Sequence, residues 1–243
     1  MKAFSEKRPI LFEILLVATA FVLAAVCALP CLMMGMTSEL GGALGRILAG
    51  TALLIVFHRC FDKTKTFKGL AMMLPALIFA LWNIANNFIT KGVSHPPGVE
   101  ILILALAPAI FEEVIFRGIF IHNLKASGRS DRAALILSAL FFGAIHLTNA
   151  LSGNIAQALV QTGYAVVVGL VFGAIYIRTG DLLSVIIAHA LTDMTSHVFK
   201  GTDATSVFIF IAFIVILVVM AFYAFWLIRG KAKNTLPKEE NGS

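Results

Sequence analysis

The sequence predicts an all-α polytopic membrane bundle of about eight transmembrane helices, and three observations carry that prediction. Hydrophobic residues make up 59% of the 243 positions while charged residues make up 13%, where a soluble domain runs at about a quarter charged. Mean hydropathy is +0.93. Apolar stretches of the roughly 20 residues needed to cross a bilayer recur along the whole chain. Such a chain cannot cover itself with polar surface, so soluble globular and disordered proteins are excluded. Spanning β-strands are excluded because apolar and polar residues do not alternate.

Taken in order, the expected spans are 10–34, 41–57, 69–89, 99–122, 133–150, 155–177, 181–198 and 206–228. The first is too long in its apolar stretch, and lacks a clean small-x-small site, for a cleavable signal peptide. The last is an unbroken apolar run ending in aromatics, as expected of a lipid-facing anchor. Loop charge supports the count. With the N-terminus in the cytoplasm, Lys2, Lys7, Arg8, Arg59, Lys63, Lys65, Lys68, Lys125, Arg129, Arg132, Arg178, Arg229, Lys231, Lys233 and Lys238 all fall on that side. Only Lys91 and Lys200 fall opposite, and Arg46 and Arg117 lie within spans. This bias in short loops orients the protein with both termini cytoplasmic. The net charge of +6 is then a record of topology and implies no nucleic-acid partner. The expected organisation is a cytoplasmic segment 1–9, a transmembrane domain 10–228 and a disordered cytoplasmic tail 229–243 in a multi-pass cell-membrane protein. Lipids are its immediate partners; its oligomeric state is left open.

Cys27, Cys31 and Cys60 form no CxxC pair, and Cys27 and Cys31, a turn apart, read as packing residues. Gly169 and Gly173 form a GxxxG match that points to close helix packing more than to dimerisation. Arg46, near the outer end of the second span, reads as snorkelling to the headgroups. His58, His95 and His122 read as ordinary solvated residues.

Ionisable side chains at membrane depth are costly and default to functional hypotheses. They cluster in three spans. The fourth carries Glu112, Glu113 and Arg117, the fifth Phe142, His146 and Asn149, and the seventh His189, Asp193 and His197. Glu113 and Arg117 are four apart, so they share a helix face with the acid on the favourable N-terminal side. They read either as a structural ion pair or as direct participants in catalysis. Glu112 points about 100° away from Glu113, and Pro108, four residues before it, must free the Leu104 carbonyl and bend the helix. His146 and Asn149 share a face, as do His189, Asp193 and His197. At ~1.5 Å per residue from the cytoplasmic helix ends, Glu112, His146, His189 and Asp193 lie at roughly 15, 20, 12 and 18 Å. Three helices thus deliver polar groups to similar heights, which points to one common site.

A buried carboxylate works best as a general base when burial moves its pKa towards neutrality, and with a histidine it can deprotonate a trapped water. Further donors can hold the oxyanion of a tetrahedral intermediate. That chemistry is peptide hydrolysis without a covalent intermediate. Other intramembrane protease plans are missing: there is no HExxH, and the nearest approach to GxGD is the run from Arg178 to Asp181.

Glu112-Glu113-x-x-x-Arg117, Phe142-x-x-x-His146 and His189-x-x-x-Asp193, in that order on separate spans, resemble the three-motif signature of the CPBP (Abi) family. This family comprises the type II CAAX prenyl endopeptidases and prokaryotic relatives tied to bacteriocin processing and self-immunity. The resemblance covers about 100–198 and implies a protease-like core there, in a multi-spanning helical protein. It implies that Glu112 and His146 activate the attacking water, that His189 and the residue at 193 stabilise the oxyanion, and that Glu113 and Arg117 brace the site. Phe142 and Asn149 are supporting residues. Family members are often called metalloproteases. No cofactor is required by the catalytic plan, yet Glu112, His146 and His189 could also supply three zinc ligands. The departure is Asp193, where Asn is frequent: an ionised Asp cannot donate to an oxyanion, so Asp193 is expected to orient His189 through a ring nitrogen. The expected function is an intramembrane endopeptidase acting on membrane-associated, hydrophobic or lipidated peptides. The competing readings are a proton-coupled transporter using Glu112, His146 and His189 as a relay, and a non-catalytic immunity or binding protein.

Overall fold

A computed structural model of the chain describes residues 7–61, 67–75, 98–198 and 207–229, with a few further positions between 77 and 85. Eight α-helices lie among the described residues: α1 Pro9–Met33, α2 Ser38–Val56, α3 Val99–Glu113, α4 Ile121–Ala126, α5 Asp131–Ile145, α6 Ile155–Thr179, α7 Leu182–Val198 and α8 Val207–Arg229. They make an all-α multi-pass architecture. Five stretches are long and apolar enough to cross a membrane, namely Pro9–Met33, Ser38–Val56, Asp131–Leu151, Ile155–Thr179 and Phe210–Arg229, and Leu182–Met194 is a shorter apolar helix. The third expected span falls largely outside the described residues, as do Lys2, Lys63, Lys65, Lys91, Lys200, His95, the His197 side chain and the tail beyond Arg229. Where the third span is described, it opens with a 3₁₀ turn at Leu70–Met73.

The helix ends follow ordinary capping chemistry. Thr37 accepts from the Leu40 amide, Ser130 from Ala133 and Asn154 from Gln157, each satisfying an otherwise orphaned N–H. Gly180 closes α6 at φ 71°, the left-handed position that glycine takes without steric cost. Asp181 is fully buried and accepts from the Ser184 amide at 3.0 Å, the Ser184 hydroxyl at 2.6 Å and the Gly69 amide at 2.9 Å. Its carboxylate both caps α7 and ties down the chain ahead of Leu70–Met73, which explains its depth without any catalytic role.

Small residues set the helix spacing. A Cβ on Gly45 would strike the Ala24 carbonyl oxygen, so α1 and α2 touch backbone to backbone. A Cβ on Gly50 would stand 3.3 Å from the Phe111 Cα, which brings α2 against α3 beside the acid pair. On α6, Gly169 packs on Ala139 and Phe142 and Gly173 on Leu135, so the GxxxG pair serves contact with α5 within the chain. The three cysteines are free and half-buried. Just beyond α2, burial and the nearby Glu13 carboxylate push the Cys60 thiol up to about 11, which keeps it an inert packing group.

The fourth span departs from a plain helix. From Val99 to Ala126 the chain runs as one rod of roughly 40 Å at ~1.5 Å per residue, but Val114–Phe120 within it is a π-helix. Pro108 lies inside α3, as expected, while the change of helix type comes after the acid pair. π-segments widen a helix by one residue per turn and recur at functional sites. Here the widened turn is held from outside: the Ser138 hydroxyl on α5 donates to the Phe116 carbonyl at 2.8 Å, and the Phe61 ring presses on Gly118 so closely that a Cβ there would collide with it. The fifth span also changes type. α5 ends at Ile145 and continues as a 3₁₀ segment, His146–Ser152.

Candidate active site

Glu113 is the centre of the buried polar cluster. Its side chain and that of Arg117 are both 0% exposed, with Arg117 Nε 3.0 Å from Glu113 Oε2. Its other oxygen, Oε1, accepts from His189 Nδ1 on α7 at 2.7 Å; a carboxylate can only accept, so Nδ1 carries the proton. One carboxylate therefore joins the π-segment to α7 and leaves His189 Nε2 as the free working face of the ring. That face meets Glu112 Oε2 at 3.9 Å and Asp193 Oδ2 at 3.5 Å. Asp193 was expected to orient His189. The short contact that does so is made by Glu113 instead, and Asp193 stands on the same ring nitrogen that faces Glu112.

Phe142 explains why an aromatic precedes His146 by four residues. Its ring lies under the Arg117 guanidinium, with Cζ 4.3 Å from the centroid, and Phe172 on α6 covers Arg117 at 5.7 Å. The same Phe142 ring meets His146 edge-on at 5.2 Å and His189 at 5.8 Å. One aromatic thus shields a buried cation and positions two imidazoles. Asn149 follows His146 by three residues in the 3₁₀ segment, where side chains at that spacing eclipse. Its amide donates to Gln161 Oε1 on α6 at 2.8 Å, which anchors the segment carrying His146.

Glu112, His146, Asn149, His189 and Asp193 all open on one cavity of about 260 Å³, shared with Arg46, Gln161 and Pro108. The cavity brings together the three separate spans that the sequence singled out. Glu113, Arg117 and Phe142 form its buried support behind that wall. Three polar members, Arg46, Thr148 and Gln161, were missed in the sequence. Arg46 was expected to snorkel outward; it lines the cavity because Gly50, one turn later on the same face, seats α2 against Phe111. Gln161 was passed over, although a Gln amid an apolar span was a visible signal.

Among the described residues no group of three or more His, Cys, Asp or Glu side chains is disposed to hold a metal ion.

Fold and site together define a polytopic helical membrane protein with an acid–histidine centre among its helices. Residues 94–195 match the family model described as type II CAAX prenyl endopeptidase Rce1-like. That stretch, which holds all three polar motifs, is thus similar to the domain of a family of hydrolases. No curated protein and no solved structure matches it.

Proposed function

We propose that this protein is an intramembrane endopeptidase that hydrolyses membrane-associated or hydrophobic peptides, lipidated ones among them. The observation that carries this reading is the convergence of Glu112, His146 and His189, from three helices, on one polar cavity, with Glu112 and His189 3.9 Å apart. Glu112 and His146 hold a water and take its proton as its oxygen adds to the scissile carbonyl. His189, its Nδ1 fixed by Glu113, turns Nε2 towards the developing oxyanion. Collapse of the intermediate restores the carbonyl and expels the amine, which receives the proton from Glu112. Arg117 holds Glu113 in place without reaching the cavity.

The same reading places eight crossings around this core at about 100–198, with residues 1–9 and 229–243 both in the cytoplasm, as the loop charges favour. The test is cleavage of a membrane-tethered peptide by the purified full chain. Loss of cleavage in Glu112→Ala and in His146→Ala, at unchanged melting temperature, is the expected result. Proton-linked uptake into proteoliposomes without cleavage would favour the transporter instead. Cellular activity that survives Glu112→Ala would favour a binding role.

A further inference from the structure

The cavity wall holds two carboxylates, Glu112 and Asp193, and a single Arg or Lys, Arg46. An oxyanion forming there faces the like charge of Asp193, Glu112 having taken the water's proton, unless a fixed donor offsets it. Asp193 cannot be that donor while ionised, since a carboxylate only accepts. Asn149 gives one of its two amide hydrogens to Gln161, and the Thr148 hydroxyl is donated to the Ile145 carbonyl at 2.6 Å. The Arg117 guanidinium is sealed at 0% exposure against Glu113 and Phe142.

Arg46 is differently placed. It is half-buried, lines the same cavity as Glu112 and His189, and has no ion pair within 4.0 Å among the described residues. Its backbone is fixed on both sides, by Gly45 against the Ala24 carbonyl and by Gly50 against Phe111. A guanidinium presents five donors in a rigid fork and stays charged in any setting.

We propose that Arg46, on α2 and outside the stretch that matches the family model, is a catalytic residue that donates to the oxyanion in place of position 193. The assignment rests on the endopeptidase reading. As water adds, the carbonyl π pair moves onto oxygen. That oxygen accepts from an Arg46 N–H and from His189 Nε2 until the C–N bond breaks and the C=O re-forms. The role of Asp193, 3.5 Å from His189 Nε2, is then to hold that ring beside the oxyanion.

The test is steady-state cleavage by the full chain in detergent, with Glu112→Gln in parallel. Arg46→Gln should lower kcat by about 10²–10³, the usual loss of one oxyanion donor, with KM changed less than threefold. Adding Asp193→Asn to Arg46→Gln should recover at least about tenfold, because the amide restores a donor and removes a negative charge. Arg46→Lys, which keeps the charge but loses the fork, should fall between, and decides the matter if Arg46→Gln melts early. A loss confined to KM, or no recovery with Asp193→Asn, overturns the proposal. Wild-type cleavage that depends on Glu112 but not on Arg46 sinks this inference alone. No Glu112-dependent cleavage in the wild type sinks the endopeptidase reading with it.

Discussion

A guanidinium sealed from water, with one carboxylate beside it and aromatic rings over its faces, sets the terms on which this site folds. Arg117 meets Glu113 at 3.0 Å without the alignment of a hydrogen bond, and its nitrogens have no hydrogen-bond partner among the described residues. Its charge is therefore balanced by Coulomb attraction and by the rings of Phe142 and Phe172. Removing one partner of a buried pair costs about 3–5 kcal/mol, because the survivor is left uncompensated. Glu113→Gln should thus lower the unfolding free energy in detergent by about that much, and Glu113→Gln with Arg117→Met should recover most of it. Two singles that simply add would show that the pair is not coupled. The pairing of Glu113 with Arg117 was legible in the sequence because four residues bring side chains to one face of a single helix. The hydrogen bond from His189 to Glu113 was not, because it depends on which helices become neighbours.

At the scale of elements, the departures from regular helix are where the site is built. The π-segment Val114–Phe120 begins directly after the acid pair and carries Arg117. Its Phe116 carbonyl is satisfied by the Ser138 hydroxyl on α5. Ser138→Ala should leave that buried carbonyl unpaired and destabilise by about 1–3 kcal/mol, measured by thermal unfolding; a change within error would mean another donor takes over. Gly118→Ala should be destabilising because its Cβ meets the Phe61 ring, at the cost of about 1–3 kcal/mol that overpacking brings. Shortening the obstacle with Phe61→Leu should relieve it. Gly45→Ala should admit no such relief, since its obstacle is the Ala24 carbonyl of the neighbouring backbone. The helices themselves were legible because lipid demands long apolar runs. The π-segment was hidden because one extra residue in a uniformly apolar turn leaves no mark in composition. Pro108 drew attention to the α3 segment instead.

For the whole molecule, lipid as solvent decides both the bundle and the direction of its charges. Five stretches have the length and apolarity to span, and the proposed topology of eight crossings predicts both chain ends on one face. Single cysteines introduced near Lys7 and Lys231, in a variant lacking Cys27, Cys31 and Cys60, should label from the same side of sealed vesicles. Labelling from opposite sides would require an odd number of crossings. The three motif-bearing spans could be read from sequence because each brings an ionisable side chain to a costly depth. The contribution of α2 could not, since a lone arginine near a helix end looks the same whether it snorkels or lines a cavity. Only the close approach at Gly50 distinguishes the two.

The central claim is that an acid and an imidazole from separate helices, Glu112 and His146, act on one water, and groups that act as a unit fail as a unit. The direct measurement is kcat for cleavage of a membrane-tethered peptide by the purified chain, its Glu112→Ala and His146→Ala variants and the double variant, all at matched melting temperature. Each single variant should lose nearly all of the catalysis, and the double should lose no more than the worse single. Losses that multiply, or a single variant within threefold of wild type, would contradict it.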